Sequence, residues 1–117
     1  MYTIAKEFGF EAAHSLTGLP PEHPCSRPHG HSYRVKVLLK SEETIAPGFV
    51  LDYRALDELK EMLDEQFDHR DLNIVLTGPT TAENIAKFLF DWCKERWPEV
   101  SAVSVSETQK TWATYRE

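Results

Sequence analysis

The chain has 117 residues, 41% of them apolar and 27% charged, the balance of an ordinary globular domain, and its length predicts one domain across residues 1–117 with a modest core. A net charge of −6 argues against a general nucleic-acid binder, whose footprint is a basic surplus. No run reaches the roughly 18 apolar residues that span a bilayer, and MYTIAKEFGF lacks the regions of a signal peptide. Two cysteines, Cys25 beside two histidines and Cys93 in a helical pattern, make no disulfide framework, so a reducing cytoplasm is the expected location.

Residues 2–14 alternate as a strand, with Phe8, Phe10, Ala12 and His14 on one side and Lys6 interrupting that face. Residues 15–28 carry four prolines and a glycine and cannot be regular structure. A loop of that length in a small domain is usually functional or disordered. Because it delivers Cys25 to two histidines, a functional loop is expected. Residues 30–40 form the second strand, through Tyr33, Val35, Val37 and Leu39. SEETIAPG reads as a turn and FVLDY as a short extended lead into a helix.

Asp52 is placed to cap that helix, whose apolar positions are Leu56, Leu59, Met62, Leu63 and Phe67. DHRDLN, residues 68–73, is a polar break. Thr80 with Glu83 three residues on reads as a capping box for a second helix. Its stripe runs through Ile85, Phe88, Leu89, Trp92, Cys93 and Trp97, and Pro98 follows its end. Val103, Val105 and Glu107 share a face of a third strand, and Thr108–Lys110 connect it to a fourth over Thr111–Arg116. The order ββααββ predicts an α+β fold: a four-stranded antiparallel sheet with two helices on one face. Its open edges predict assembly, most simply sheet to sheet into a barrel.

The chemistry concentrates in CSRPHGH. His29 and His31 enter the second strand on one face, and Gly30 lets the backbone approach closely there. With His14, which ends the first strand, they form a three-histidine set with an open fourth position, the pattern of a catalytic zinc site. Cys25 could be a fourth ligand, closing the site, or a base facing a bound substrate. Spacing permits both. Asp68 and His69 read either as a solvated turn or as a histidine base oriented by a carboxylate. Glu107 is either an exposed strand end or an acceptor for a ligand's N–H edge. Thr80 and Thr81 are explained by capping, although helix N-termini also bind anions. Trp92 and Trp112 read as packing, and His23 as an ordinary loop residue.

FEAAH, CSRPHGH, LDY, DHRDLN, PTTAEN and SVSET, in this order along nearly the whole chain, resemble the 6-pyruvoyl-tetrahydropterin synthase family. A cysteine four residues before HGH resembles its 6-carboxy-tetrahydropterin synthase branch, which serves queuosine biosynthesis. The resemblance implies a tunnelling fold in which subunits join their sheets into a barrel and two trimeric rings stack as a homohexamer, with active sites between subunits. It implies zinc on His14, His29 and His31, Cys25 as catalytic cysteine, Asp68 and His69 as a proton-transfer pair, and Glu107 as pterin anchor. The implied substrate is 7,8-dihydroneopterin triphosphate; the implied products are 6-carboxy-tetrahydropterin, acetaldehyde and triphosphate. The pyruvoyl-forming reaction on the same substrate is the neighbouring alternative, and a zinc-stabilised module without catalysis the distant one. Thr80, Thr81 and Arg27 are candidate substrate contacts, with Arg27, Lys36 and Lys110 as candidate partners for the triphosphate.

Overall fold

Alternation of Phe8, Phe10, Ala12 and His14 with exposed neighbours builds strand β1, Tyr2–His14, in the computed structural model, which describes residues 1–117. Strand β2, His29–Ser41, pairs antiparallel with it along its whole length, from Tyr2 opposite Ser41 to His14 opposite His29. Helix α1 spans Asp57–Gln66, strand β3 Arg70–Asp71, and helices α2 and α3 Leu72–Val75 and Ala82–Arg96. Strands β4, Val100–Ser106, and β5, Ala113–Arg116, close the chain. The sheet order is β3-β1-β2-β4-β5.

The four expected strands are antiparallel neighbours. The fifth, β3, is an addition. It pairs parallel with Ala12 and Ala13, and two polar residues are too short to show alternation. Asp52 caps as expected, but its carboxylate accepts the Arg54 N–H (2.9 Å) of a one-turn 3₁₀ segment, Tyr53–Leu56, that precedes α1. The cap of α3 is Thr81, whose hydroxyl accepts the Asn84 N–H at 3.2 Å. The capping box expected of Thr80 and Glu83 is therefore one residue out of register. Thr80 is fully buried and faces elsewhere.

One core of 25 buried residues joins β1, β2 and β4 to α1 and α3, with Leu59, Leu63, Ile85, Leu89, Val35, Val37 and Val103 at its centre. Cys93 and Trp97 belong to it, as expected, and Trp92 packs against it with Arg96 3.6 Å above its ring. The far face of the sheet carries no helix. Its residues of opposite parity include Glu7, Glu11, Ser32, Arg34 and Lys36. Lys36 pairs with Glu7 (3.7 Å), and Arg34 and Lys36 both cover the ring of Trp112, which is 40% exposed. Trp112 thus packs on the surface rather than in the core.

Candidate metal centre and active site

The β1–β2 register sets His14 opposite His29 and places His31 two residues along the same face. Their ring centroids are 4.6, 4.9 and 5.1 Å apart, and one nitrogen from each ring lies within 4.8 Å of the others. His14 Nδ1 lies 2.9 Å from the Thr80 carbonyl and 3.1 Å from its hydroxyl. His29 Nδ1 lies 2.7 Å from the Arg27 carbonyl. A carbonyl only accepts, so Nδ1 is the donating nitrogen of both rings, and Nε2 is the nitrogen left to face a ligand. His14 Nε2 and His31 Nε2 are buried without an aligned hydrogen-bond partner. Three clustered imidazoles, two of them with an outer nitrogen fixed by a backbone carbonyl, can hold a metal ion. The residues fit the expected cation.

Glu107 sits one residue beyond β4. Its Oε2 is 3.2 Å from His14 Nε2 and 3.1 Å from His31 Nε2, with the side chain 26% exposed. It is not an exposed strand end but part of the cluster. Contact with His14 foremost, then the charges of His31 and His29, holds its carboxyl below the usual range against the effect of burial. His14 and His31 respond oppositely to the shared carboxylate. Burial depresses His14, but Glu107, the Thr80 carbonyl and Asp71 outweigh it and raise the imidazole. For His31, burial with repulsion from His14 and His29 outweighs Glu107 and lowers it. Beneath them Tyr33 stacks on Phe10 (4.8 Å), its hydroxyl buried and unpartnered.

Cys25 is half-buried on the 3₁₀ turn Pro24–Ser26 and is not among the clustered ligands. That turn is fastened locally. His23 Nδ1 accepts the Cys25 N–H (3.1 Å), and the Cys25 carbonyl accepts the Leu16 N–H at the exit of β1 (2.7 Å). His23 is thus a cap. Arg27 contributes its carbonyl to His29, while its exposed side chain forms no ion pair in the chain. Lys36 lies on the far sheet face, paired with Glu7 and over the Trp112 ring.

Asp68 and His69 do touch: His69 Nδ1 is 2.7 Å from Asp68 Oδ2. The other carboxylate oxygen accepts the Glu11 N–H (2.8 Å), and the His69 N–H donates to the Glu11 carbonyl. The Glu11 bond foremost, then His69, holds the Asp68 carboxyl low. His69 is the one non-glycine residue with positive φ, 57°, a conformation held by its surroundings and concentrated at functional sites. A cleft of about 570 Å³, lined by Glu11, Gly30, His31, Ser32, His69 and Arg70 among others, runs between this pair and the hairpin end. Its volume suits a small molecule. Asn73, unremarked in the sequence beyond its place in DHRDLN, grips the backbone just beyond His14. Ser15 N–H donates to Asn73 Oδ1 and Asn73 Nδ2 donates to the Ser15 carbonyl, both at 2.8 Å.

A five-stranded sheet flanked by helices, with an imidazole trio at one end of the β1–β2 pair and a carboxylate–histidine pair across a cleft from it, has the make-up of a metal-assisted active site. The family model described as 6-pyruvoyl tetrahydropterin synthase matches residues 3–117. The chain is 37% identical over 125 residues to a 6-carboxy-5,6,7,8-tetrahydropterin synthase from Synechocystis sp., covering 98% of this chain and 93% of that one. To a putative enzyme of the same description from Archaeoglobus fulgidus it is 34% identical over 107 residues, covering 92% and 89%. The solved 6-pyruvoyl tetrahydropterin synthase of Caenorhabditis elegans superposes with a TM-score of 0.87 at 27% identity, over 99% of this chain and 95% of that one. The chain belongs to the 6-pyruvoyl tetrahydropterin synthase family.

Proposed function

We propose that the protein is a zinc-dependent 6-carboxy-5,6,7,8-tetrahydropterin synthase acting on 7,8-dihydroneopterin triphosphate in queuosine biosynthesis. The observation that carries this is the cluster of three imidazoles with Glu107 against two of them, supported by relatives named for that activity. His14, His29 and His31 would hold zinc, which would supply Lewis acidity at the substrate's side-chain hydroxyls. Cys25 as thiolate takes a proton from the side chain, and Asp68 keeps the His69 Nδ1 proton in place so that Nε2 can exchange protons with the substrate. Glu107, ionised, accepts the guanidine-like N–H edge of the pterin and orients the ring. Thr80 acts through His14 rather than on substrate, and Thr81 through the helix cap.

The cytoplasm is the proposed location, and homohexameric assembly of stacked trimers the proposed state. The outer edge of β1 is paired only at Ala12 and Ala13, and β5 has no outer neighbour, so both edges offer unpaired backbone groups for sheet-to-sheet closure. The His69 side chain, 80% exposed with Asp68 as its partner, suits a group shared across such an interface. Incubating zinc-loaded protein with 7,8-dihydroneopterin triphosphate, with mass spectrometry of the products, tests the reading. The expected result is 6-carboxy-tetrahydropterin with acetaldehyde and triphosphate. A pyruvoyl product would reassign the branch while retaining the site, and absence of turnover by zinc-loaded protein would overturn the activity.

A further inference from the structure

The backbone around the end of β1, from Glu11 to Leu16, is held at several points, most of them by the segment 68–73. Glu11 receives Asp68 and His69, Ala12 and Ala13 pair with β3, Ser15 is gripped on both polar groups by Asn73, and the Leu16 N–H ties down Cys25. His14, in the middle of this run, is aimed by its own ring contact with Thr80. Beyond His14 the β1–β2 ladder stops, so no strand partner fixes the backbone there. A bidentate amide does so instead, and Asn73 is itself fixed, with its N–H donating to Asp71 Oδ1 at 3.0 Å. The two hydrogen bonds hold the two successive peptide units that flank Ser15, one by its N–H and the other by its carbonyl, which one contact cannot do.

We propose that Asn73 is a positioning residue for the metal centre. By holding Ser15 it fixes where β1 ends and how His14 presents Nε2, and it starts the Cys25 loop from a defined point. The segment Asp68–Asn73 thereby places the proton-transfer pair and the first imidazole from one rail. The inference rests on the proposed metal-binding role of the three histidines.

The test compares wild type, Asn73→Ala, Asn73→Asp and Val103→Ala. The last truncates the core away from the cluster and controls for lost stability. Metal-free proteins are titrated with zinc against a chromophoric chelator, and the visible spectra of their cobalt(II) forms are recorded. Loss of a direct outer partner of a metal ligand commonly weakens affinity roughly 10–100-fold; Asn73 acts one residue away, through Ser15, so Asn73→Ala is expected to weaken zinc affinity measurably but by no more than that range, with an altered cobalt spectrum. Asn73→Asp keeps the acceptor for the Ser15 N–H but opposes the Ser15 carbonyl, so an intermediate loss is expected; it decides the matter alone if the alanine variant does not fold. Val103→Ala is expected to melt earlier and bind metal like wild type. Wild-type affinity and spectrum in the Asn73 variants would overturn the inference while leaving the metal reading intact. A wild-type protein that takes up no zinc or cobalt would overturn both.

Discussion

The two ends of the β1–β2 ladder are built from the same pairing and serve opposite purposes. Toward the Tyr2–Ser41 end, the inward face of β2 is Val35, Val37 and Leu39, all fully buried in the core. Toward the His14–His29 end the same face turns to imidazole, with Tyr33 as the transition. The edge of β1 differs in the same way: open along its first residues, gripped from Glu11 onward by the segment 68–73. The apolar end supplies stability, and the polar end exploits it. Buried nitrogens without partners are costly, and they persist at one end because the other anchors the ladder.

Cutting each end separately is the strongest way to break that comparison. His29→Ala is expected to abolish turnover and to cost more metal affinity than the roughly 10–100-fold typical of an outer partner, with little loss of melting temperature, because His29 is only half-buried at the polar end of the ladder. Leu39→Ala should do the reverse, costing about 2–5 kcal/mol in denaturant titrations while the folded protein binds zinc normally. A chelator should likewise remove activity without unfolding the chain, as circular dichroism would register. Unfolding on metal removal would instead support a structural zinc module. Within the polar end, Cys25→Ala is expected to retain zinc and lose about 10²–10⁴-fold in turnover, the usual contribution of a positioned base. Loss of zinc in that variant would make Cys25 a ligand.

Much of this division is visible in the sequence, and the remainder is hidden for identifiable reasons. Alternation announces β1, β2 and β4 because each has one buried face, and HGH stands out because strand parity alone puts both rings on one side. Glu107 shares the parity of Val103 and Val105, but no periodicity shows that the chain beyond β4 bends its carboxylate onto two imidazoles. The exchange of roles between Thr80 and Thr81 is invisible because either threonine can cap a helix, and only packing shows which is buried against His14. The pairing of β3 and the grip of Asn73 on Ser15 join residues 58 positions apart, beyond any local pattern. Recurrence of DHRDLN within a family resemblance marks the segment without explaining its asparagine.

Acid titration sharpens the comparison at the edge of β1. Asp68 titrates below its ordinary value, about 3.9, because Glu11 and His69 bond to its ionised form. A lowered folded pKa contributes stability that is complete above the unfolded value and lost as pH falls through the folded one. The melting-temperature gap between wild type and Asp68→Asn should therefore hold steady from pH 8 to about pH 5 and shrink only below about pH 4. A gap that closes near neutrality would show that the carboxylate is not held ionised by these contacts. Loss of activity between pH 7 and 5 would then trace to imidazole rather than to Asp68 or Glu107, since both carboxyls are shifted down.

The last contrast sets the two cysteines against each other. Cys93 is fully buried on the core face of α3, and burial pushes its thiol up to about 12 against a weak opposing pull from Arg96. Cys25 is half-buried on a turn whose backbone is pinned to Leu16 and His23. Thiolate fraction and access govern alkylation, so brief iodoacetamide treatment of native protein at neutral pH should add one label, mapped to Cys25 by peptide mass spectrometry. Denatured protein should take two. Labelling should abolish turnover and leave the melting temperature nearly unchanged, because Cys25 lies outside the core. Equal labelling of both thiols in the native state would mean that α3 opens readily, and the apolar end of the ladder could then not be the anchor that holds the imidazoles in place.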